Sequence, residues 1–364
     1  MNWEVKNLSD VVELRRGFDL PHAERRRGGV PIISAGQQVG AHDVAMVKGP
    51  GFAVGRATNL GVPTWSNGDY WPLNTTLYAA DFKGNDPAFL YRLFQVIDLT
   101  GFDSGSVQPM LNRNYIAHVP VRVPCVSEQR AIAEVLGALD DKIAANERLM
   151  SAAEALMVAH VAAMSRAVCP LSNLAEHIKA SVNPVTLGPS LVRHYSLPAF
   201  DANRLPAIEA ADAIRSSKFV LGAPSVLISK LNPRFPRVWH VPAPMEPALA
   251  STEFVVLTPT GVSTSALWAA LSQPGLGQQL VDKASGTSGS HQRVRPQEIL
   301  DADVVDVRLL PVAVGELVDS LGHRVHAARI ESQRLAALRD ALLPELMSGR
   351  LRVKDAEKTV EEVV

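Results

Sequence analysis

Residues 128–157 read EQRAIAEVLGALDDKIAANERLMSAAEALM. In this stretch Ile132, Leu136, Leu139, Ile143, Asn146, Met150, Ala153 and Met157 alternate spacings of four and three. That rhythm keeps one apolar seam on one side of a helix for almost four heptads. Ser127, with Glu128 and Gln129 behind it and Pro124 just before, marks the helix start. A second, less regular stripe runs through Leu317, Leu321, Val325, Ala328, Leu335, Leu338 and Leu342, with Gly322 inside it as an expected weak point. Two such helices in one chain bury their stripes most simply against each other, as an antiparallel coiled coil. Asn146 then either sets the register as a polar seam residue or lies at a frayed, solvent-facing position.

Outward from the helices, the chain repeats itself. LSDVVELRRG begins at Leu8 and LSNLAEHIKA at Leu171, while SGSVQPMLNRNYIAHVPVRVP from Ser104 has a weaker echo in SGTSGSHQRVRPQEILDADVVDVRLLP from Ser285. Each copy then enters a helical pattern, from Glu128 and from Val314. The period, roughly 163–187 residues, is too long for a solenoid and reads as a globe followed by a helix, present twice. The expected domains are a first globe over 1–123, a first helix over 124–166, a second globe over 167–312, and a second helix with tail over 313–364.

The globes read as α+β. Short apolar runs (Val30–Ile33, Phe52–Val54, Thr76–Ala79, Val119–Val123) alternate with turn signals such as Lys48-Gly49-Pro50-Gly51 and Ser66-Asn67-Gly68-Asp69. Phe89, Leu90, Leu93, Phe94 and Ile97 share one face of an expected helix from Pro87 to Ile97. In the second globe Ser225–Ile228 and Phe254–Leu257 read as strands and Leu267–Leu271 as part of a helix. The expected fold is therefore two similar mixed α/β domains separated by two long paired helices, with pseudo-twofold character.

Composition narrows the function classes. Among 364 residues, 36 basic and 37 acidic side chains leave a net charge of −1, which excludes a histone-like polycation but permits a local DNA-facing patch. The first globe counts 12 basic against 11 acidic residues, and residues 166–312 count 13 against 11, so both stretches are slightly positive. MNWEVKNLSD lacks the apolar core of a signal peptide, and the longest apolar run, Ala155 to Met164, is broken by His160 and too short to span a bilayer. Cys125 and Cys169 are alone, without a CxxC or a His cluster, so neither a disulfide framework nor a zinc site is expected. The expected setting is the cytoplasm, with no membrane partner and no metal.

No set of residues reads as catalytic. Asn232-Pro233-Arg234-Phe235 is close to the Asn-Pro-Pro-aromatic motif of amino-methyltransferases, yet Arg234 replaces the second proline and no glycine fingerprint precedes it. Gly49-x-Gly51-x-x-x-Gly55 has the wrong spacing for a dinucleotide loop, and Asp103-Ser104-Gly105 lacks triad partners. Recognition remains. Cations at loop tips neutralise phosphates, while Arg, Asn and Gln read base edges. The candidates are Lys48, Arg56, Asn112, Arg113 and Asn114 in the first globe, and Lys230, Arg234, Arg237, His291, Gln292, Arg293 and Arg295 in the second. Asn112-Arg113-Asn114 and His291-Gln292-Arg293 lead, because they hold comparable places after the two Ser-Gly segments. An exposed cation that is merely solvated is the plain alternative for any one of them, and a non-DNA coiled-coil adaptor is the rival for the whole chain.

Several stretches resemble the specificity (S) subunit of type I restriction–modification systems, over nearly the full length. They are Gly105-Ser106-x-Gln108-Pro109-x-Leu111-Asn112, VPVRVPCVSEQRAIAEVLGALDDKI from Val119, and the tail LLPELMSGRLRV from Leu342. TWSNGDYWPLNTTLY from Thr64 is similar to one type of recognition domain, and VLISKLNPRFPRVWHV from Val226, with Ser251-Thr252-Glu253-Phe254, to another. The resemblance implies a non-catalytic subunit that reads a bipartite, asymmetric double-stranded DNA site. It implies two modification subunits docked on it, and restriction subunits that translocate and cut. S-adenosylmethionine and ATP would bind those partners, leaving this chain without a cofactor. An inactive specificity subunit stays open beside that reading.

Overall fold

The structure, a computed structural model, describes residues 3–104, 110–284 and 292–362. It divides into two compact units: unit 1 extends to Ala144 and resumes at Ser332, and unit 2 spans Ala145–Glu331. Each combines an antiparallel and a mixed sheet with short helices and takes one half of each long helix.

In unit 1 a four-stranded antiparallel sheet runs in the order Glu13–Arg16, Thr76–Asp81, Gly51–Gly55, Pro63–Ser66. The sheet buries Phe52, Val54 and Leu77 against the helix Pro87–Val96, whose Phe89, Leu90, Leu93 and Phe94 enter the same core. That helix starts where it does because Asp86 accepts the Phe89 N–H at 2.9 Å and Pro87 sits in the first turn. Each buried Leu or Phe contributes about 1.5–3 kcal/mol, so this apolar stripe outweighs the ordinary helix propensity of its residues. A smaller sheet of Gln37–His42, Val30–Ser34 and Trp71–Pro72 lies beside it, and Glu4–Asn7 pairs with Pro120–Val123.

Unit 2 repeats the four-stranded sheet in the same order: Ala175–Ile178, Phe254–Pro259, Ser225–Ser229, Val238–Val241. Residue registers match across the units. Tyr78 lies between Arg15 and Ala53, and Val256 between Ile178 and Leu227. Arg15 therefore corresponds to Ile178, the offset at which the two LS-segments align in sequence. The helix Thr264–Leu271 covers this sheet, with Leu267, Ala269 and Ala270 fully buried. Val168–Pro170 pairs with Asp303–Val305 as Glu4–Asn7 does with Pro120–Val123. The smaller sheet is repeated too, as Ala207–Ala210, Leu191–Tyr195 and Ala248–Ser251, and what unit 2 adds, unforeseen from the sequence, is two further strands, Lys218–Val220 and Ser181–Val182, that extend it to five.

The long helices span Val126–Met164 and Val312–Ser348 and pair antiparallel. Within unit 1, Ile132, Leu136 and Leu139 share a core with Leu335, Leu342 and Leu346, and Ile143 and Leu338 are half-buried against it. Asp140 receives Arg339 at 2.6 Å and also the buried guanidinium of Arg92. Within unit 2, Met157 and Val161 share a core with Val318, and Leu321 packs against it. Val325 is buried, and Met150 is half-buried. Asn146 is a buried seam residue, not a frayed one: its Nδ2 donates to Glu331 Oε2 at 2.7 Å.

Two expectations about the second helix are corrected. Leu317 lies 37% exposed, and Val318 takes the buried place beside it, because this half of the helix packs on the globe as well as on its helical partner. Gly322 does not weaken the packing. A Cβ there would stand 2.2 Å from Ser265 Oγ and 2.7 Å from Ser265 Cβ, so glycine lets the helix seat against Thr264–Leu271.

Candidate nucleic-acid interface

In unit 1 the sheet register gathers residues far apart in sequence into one cleft of about 240 Å³. Arg16, Arg56, Met110, Asn112, Arg113 and Asn114 line it. Arg16 ends one strand, and Arg56 directly follows another. The chain returns alongside: Ala57 bridges Met110, and Leu111 N–H donates to the Arg56 carbonyl at 2.8 Å. Asn112 then caps the short helix Arg113–Ile116, its Oδ1 accepting the Asn114 N–H at 3.0 Å. Among the described residues neither Arg16, Arg56 nor Arg113 forms an ion pair. Three uncompensated cations around one cleft form an anion-attracting surface suited to a phosphate backbone. Arg56, Asn112, Arg113 and Asn114, picked from sequence, are thus brought together. Arg16 was missed, although the aligned repeats LSDVVELRRG and LSNLAEHIKA set it opposite another cation, Lys179.

Unit 2 builds the same place from different side chains. Lys230 directly follows the Ser225–Ser229 strand, Leu231 bridges Arg293, and Val294 N–H donates to the Lys230 carbonyl at 3.0 Å. Gln292 accepts the Asn232 N–H through its carbonyl at 2.9 Å. Arg295 precedes the short helix Pro296–Leu300, its backbone N–H donating to Glu298 at 2.9 Å. Residue by residue, Lys230 stands for Arg56, Leu231 for Ala57, Arg293 for Met110, and Arg295 for Asn112. Lys179 and Lys230 add a positive field: His177 is held below the ordinary histidine pKa by burial first, then by these two lysines. Unlike its counterpart cleft, this place holds a carboxylate. Glu253 Oε1 accepts from Arg293 Nη2 at 3.0 Å. His291 and the Gly105–Pro109 motif lie outside the described residues.

The other sequence candidates lie apart from these two places. Lys48 sits on a turn with its Nζ 2.6 Å from Asp69, whose carboxyl is held below its usual range by that lysine and by the Gly49 N–H. Arg237 forms a two-pronged pair with Asp201 at 2.6 and 2.9 Å, and Asp201 is lowered accordingly. Arg234 lines a separate cavity of about 520 Å³ with Arg204, Glu154, Phe200 and Trp268. No group of three or more His, Cys, Asp or Glu side chains that could hold a metal occurs among the described residues. Nor is any described helix long and apolar enough to cross a membrane.

Comparison with known proteins bears on the fold. Residues 1–155 match the family described as "Type I restriction modification DNA specificity domain". No curated protein matches the chain. Among solved structures, the type I restriction-modification system S subunit from M. genitalium superposes with a TM-score of 0.62 at 14% identity, over 95% of this chain and 96% of that one. The HsdS subunit from Thermoanaerobacter tengcongensis aligns at a TM-score of 0.33 and 14% identity, over 96% and 97% of the two chains. Residues 1–155 are thus similar to the type I restriction modification DNA specificity domain, and the chain shares its fold with the M. genitalium S subunit over 95% of its length.

Proposed function

We propose that this chain is the sequence-reading subunit of a type I restriction–modification assembly. It binds a bipartite, asymmetric double-stranded DNA target, one half-site per unit. The observation that carries this is the duplicated arrangement of strand-end cation and bridged loop. Arg16, Arg56 and Met110 in unit 1 answer to Lys179, Lys230 and Arg293 in unit 2. The same backbone device with different side chains suits two half-sites of different sequence.

The paired helices and the duplicated units offer two similar surfaces to two modification subunits. Those subunits carry the methyl donor S-adenosylmethionine, and restriction subunits carry ATP, translocation and cleavage. This chain contributes recognition and scaffolding but no bond-making step, and works in the cytoplasm. The test is a genome-wide map of N6-methyladenine in cells with and without the gene. One bipartite methylated motif should vanish on deletion. An unchanged map in a strain whose modification subunits are expressed, or methyl transfer by the isolated chain, would overturn the reading.

A further inference from the structure

Resting on that DNA-reading function, we infer that Arg293, oriented by Glu253, reads a guanine in the half-site of unit 2, whereas the cations of the counterpart cleft in unit 1 serve the phosphates. The structure separates these roles by how each guanidinium or ammonium is held.

A cation that anchors phosphate needs charge and reach. Arg16, Arg56 and Arg113 fit that description, exposed or half-exposed around a cleft and without ion pairs among the described residues. A base reader needs a fixed direction. The two parallel N–H groups of guanidinium must meet guanine O6 and N7 together, and a side chain free to sample rotamers loses much of that advantage. Arg293 is fixed at both ends. Its backbone is bridged to Leu231 and continues into the Val294–Lys230 hydrogen bond. Its side chain is drawn to Glu253 through Nη2, yet stays 63% exposed. Glu253 is itself anchored. Its carbonyl accepts the Lys230 N–H at 2.9 Å, and its own N–H donates to Ser251 Oγ at 3.3 Å.

A carboxylate 3.0 Å from an arginine is a poor companion for a phosphate, because it cancels the charge that attracts the anion. It is a good companion for a neutral base edge, because it holds the fork without competing for O6 and N7. The counterpart position in unit 1 is Met110, which has no donor at all. Position 110 therefore cannot make the hydrogen-bonded contact that position 293 makes, and its apolar side chain suits a thymine methyl instead.

The experiment uses the chain assembled with its modification subunits, on the target defined by methylation mapping. Binding is measured by fluorescence anisotropy at several salt concentrations for the wild type, Arg293→Ala, Arg293→Lys and Glu253→Gln. For Arg293→Ala, affinity for the native target should fall about tenfold to a hundredfold. A target with the guanine replaced should lose its penalty, and the salt slope should be unchanged. Arg293→Lys should fail to restore discrimination, since ammonium has no fork, and Glu253→Gln should weaken discrimination at the same base pair only. The mapped motif should relax at one G·C pair in one half-site and nowhere in the other. A salt slope smaller by about one, with discrimination intact and rescue by lysine, would make Arg293 a phosphate contact and overturn the inference. Unchanged binding in every variant would remove it from the interface. A wild-type assembly without any bipartite motif would instead sink the proposed function itself.

Discussion

Two glycines of the second long helix make opposite predictions for the same substitution. At Gly315 an added Cβ meets nothing within 4 Å, so Gly315→Ala should stabilise by up to about 1 kcal/mol through helix propensity alone. At Gly322 the same propensity gain is opposed by contact. The new Cβ would lie 2.2 Å from Ser265 Oγ, 2.7 Å from Ser265 Cβ and 3.3 Å from His240 Cε1. Rotating the serine hydroxyl relieves the first distance but not the second, because Ser265 Cβ is fixed on its own helix. The helix must back away by several tenths of an ångström from a core that includes Val318, Leu267 and Ala270. Overpacking of this kind costs about 1–3 kcal/mol, so Gly322→Ala should destabilise by about 1–2 kcal/mol after the propensity gain. Urea unfolding of the two variants, with hydrogen exchange over 264–271 and 318–328, measures both. Adding Ser265→Gly to Gly322→Ala should recover part of the loss, a coupling that independent sites would not show. If Gly322→Ala were as stabilising as Gly315→Ala, the close seating of this helix would be wrong.

Further outcomes follow from the helix pairing and its charges. Asn146→Ala should cost about 1–2 kcal/mol in urea unfolding, since it leaves Glu331 without this 2.7 Å donor in a buried seam. Asp140→Asn should cost about 1–3 kcal/mol, because Arg92, 6% exposed in its side chain, loses its charge partner while Arg339 keeps only Asp340; a loss under 0.5 kcal/mol, roughly the exposed-pair range, would count against it. His240 is pushed down to about 3 by burial first, then by Arg329, His326 and His323. An unfolded histidine titrates near 6.5, so between that value and about 3 the unfolded chain binds the extra proton. The stabilisation from keeping His240 neutral is therefore complete above pH 6.5 and drains as pH falls, by up to about 1.4 kcal/mol per unit. Urea titrations at pH 7 and pH 5 should show a shallower loss for His240→Gln than for the wild type.

The elements that periodicity governs were legible in the sequence. The seam from Ile132 to Met157 requires only local spacing, and the expected helix at 87–97 stands at Pro87–Val96, stopped one residue earlier. The strands Gly51–Gly55, Thr76–Asp81, Ser225–Ser229 and Phe254–Pro259 each extend the apolar run that announced them by a residue or two. Leu317 was misplaced because the heptad rule assumes one partner helix. The second helix also has a globe beneath it, and Val318 and Gly322 turn toward that broader contact.

The candidate interface was legible only in part, for a physical reason. Arg56 and the Asn112–Asn114 run could be picked by residue type, but what joins them is the bridge between Ala57 and Met110, a long-range pairing that no local pattern encodes. Arg16, Met110 and Glu253 were missed for the same cause. Each becomes part of a site only when strands of distant sequence register against one another. The internal repeat carried a usable signal, since aligning its copies residue for residue sets Arg16 against Lys179. It could not set Met110 against Arg293, because the copies drift from an offset of 163 at the first strands to 183 at the bridged loop (Met110 to Arg293). The drift comes from segments that unit 2 inserts, the strands Ser181–Val182 and Lys218–Val220 among them, and it falls partly between the two cations (offset 163 at Arg16/Lys179, 174 at Arg56/Lys230) and partly between the second cation and the loop. Divergence in length therefore accumulates between the positions that form the site while the bridge itself is kept. That is the pattern expected if the scaffold holds two reading positions in fixed geometry and leaves their side chains, methionine in one unit and arginine in the other, to differ.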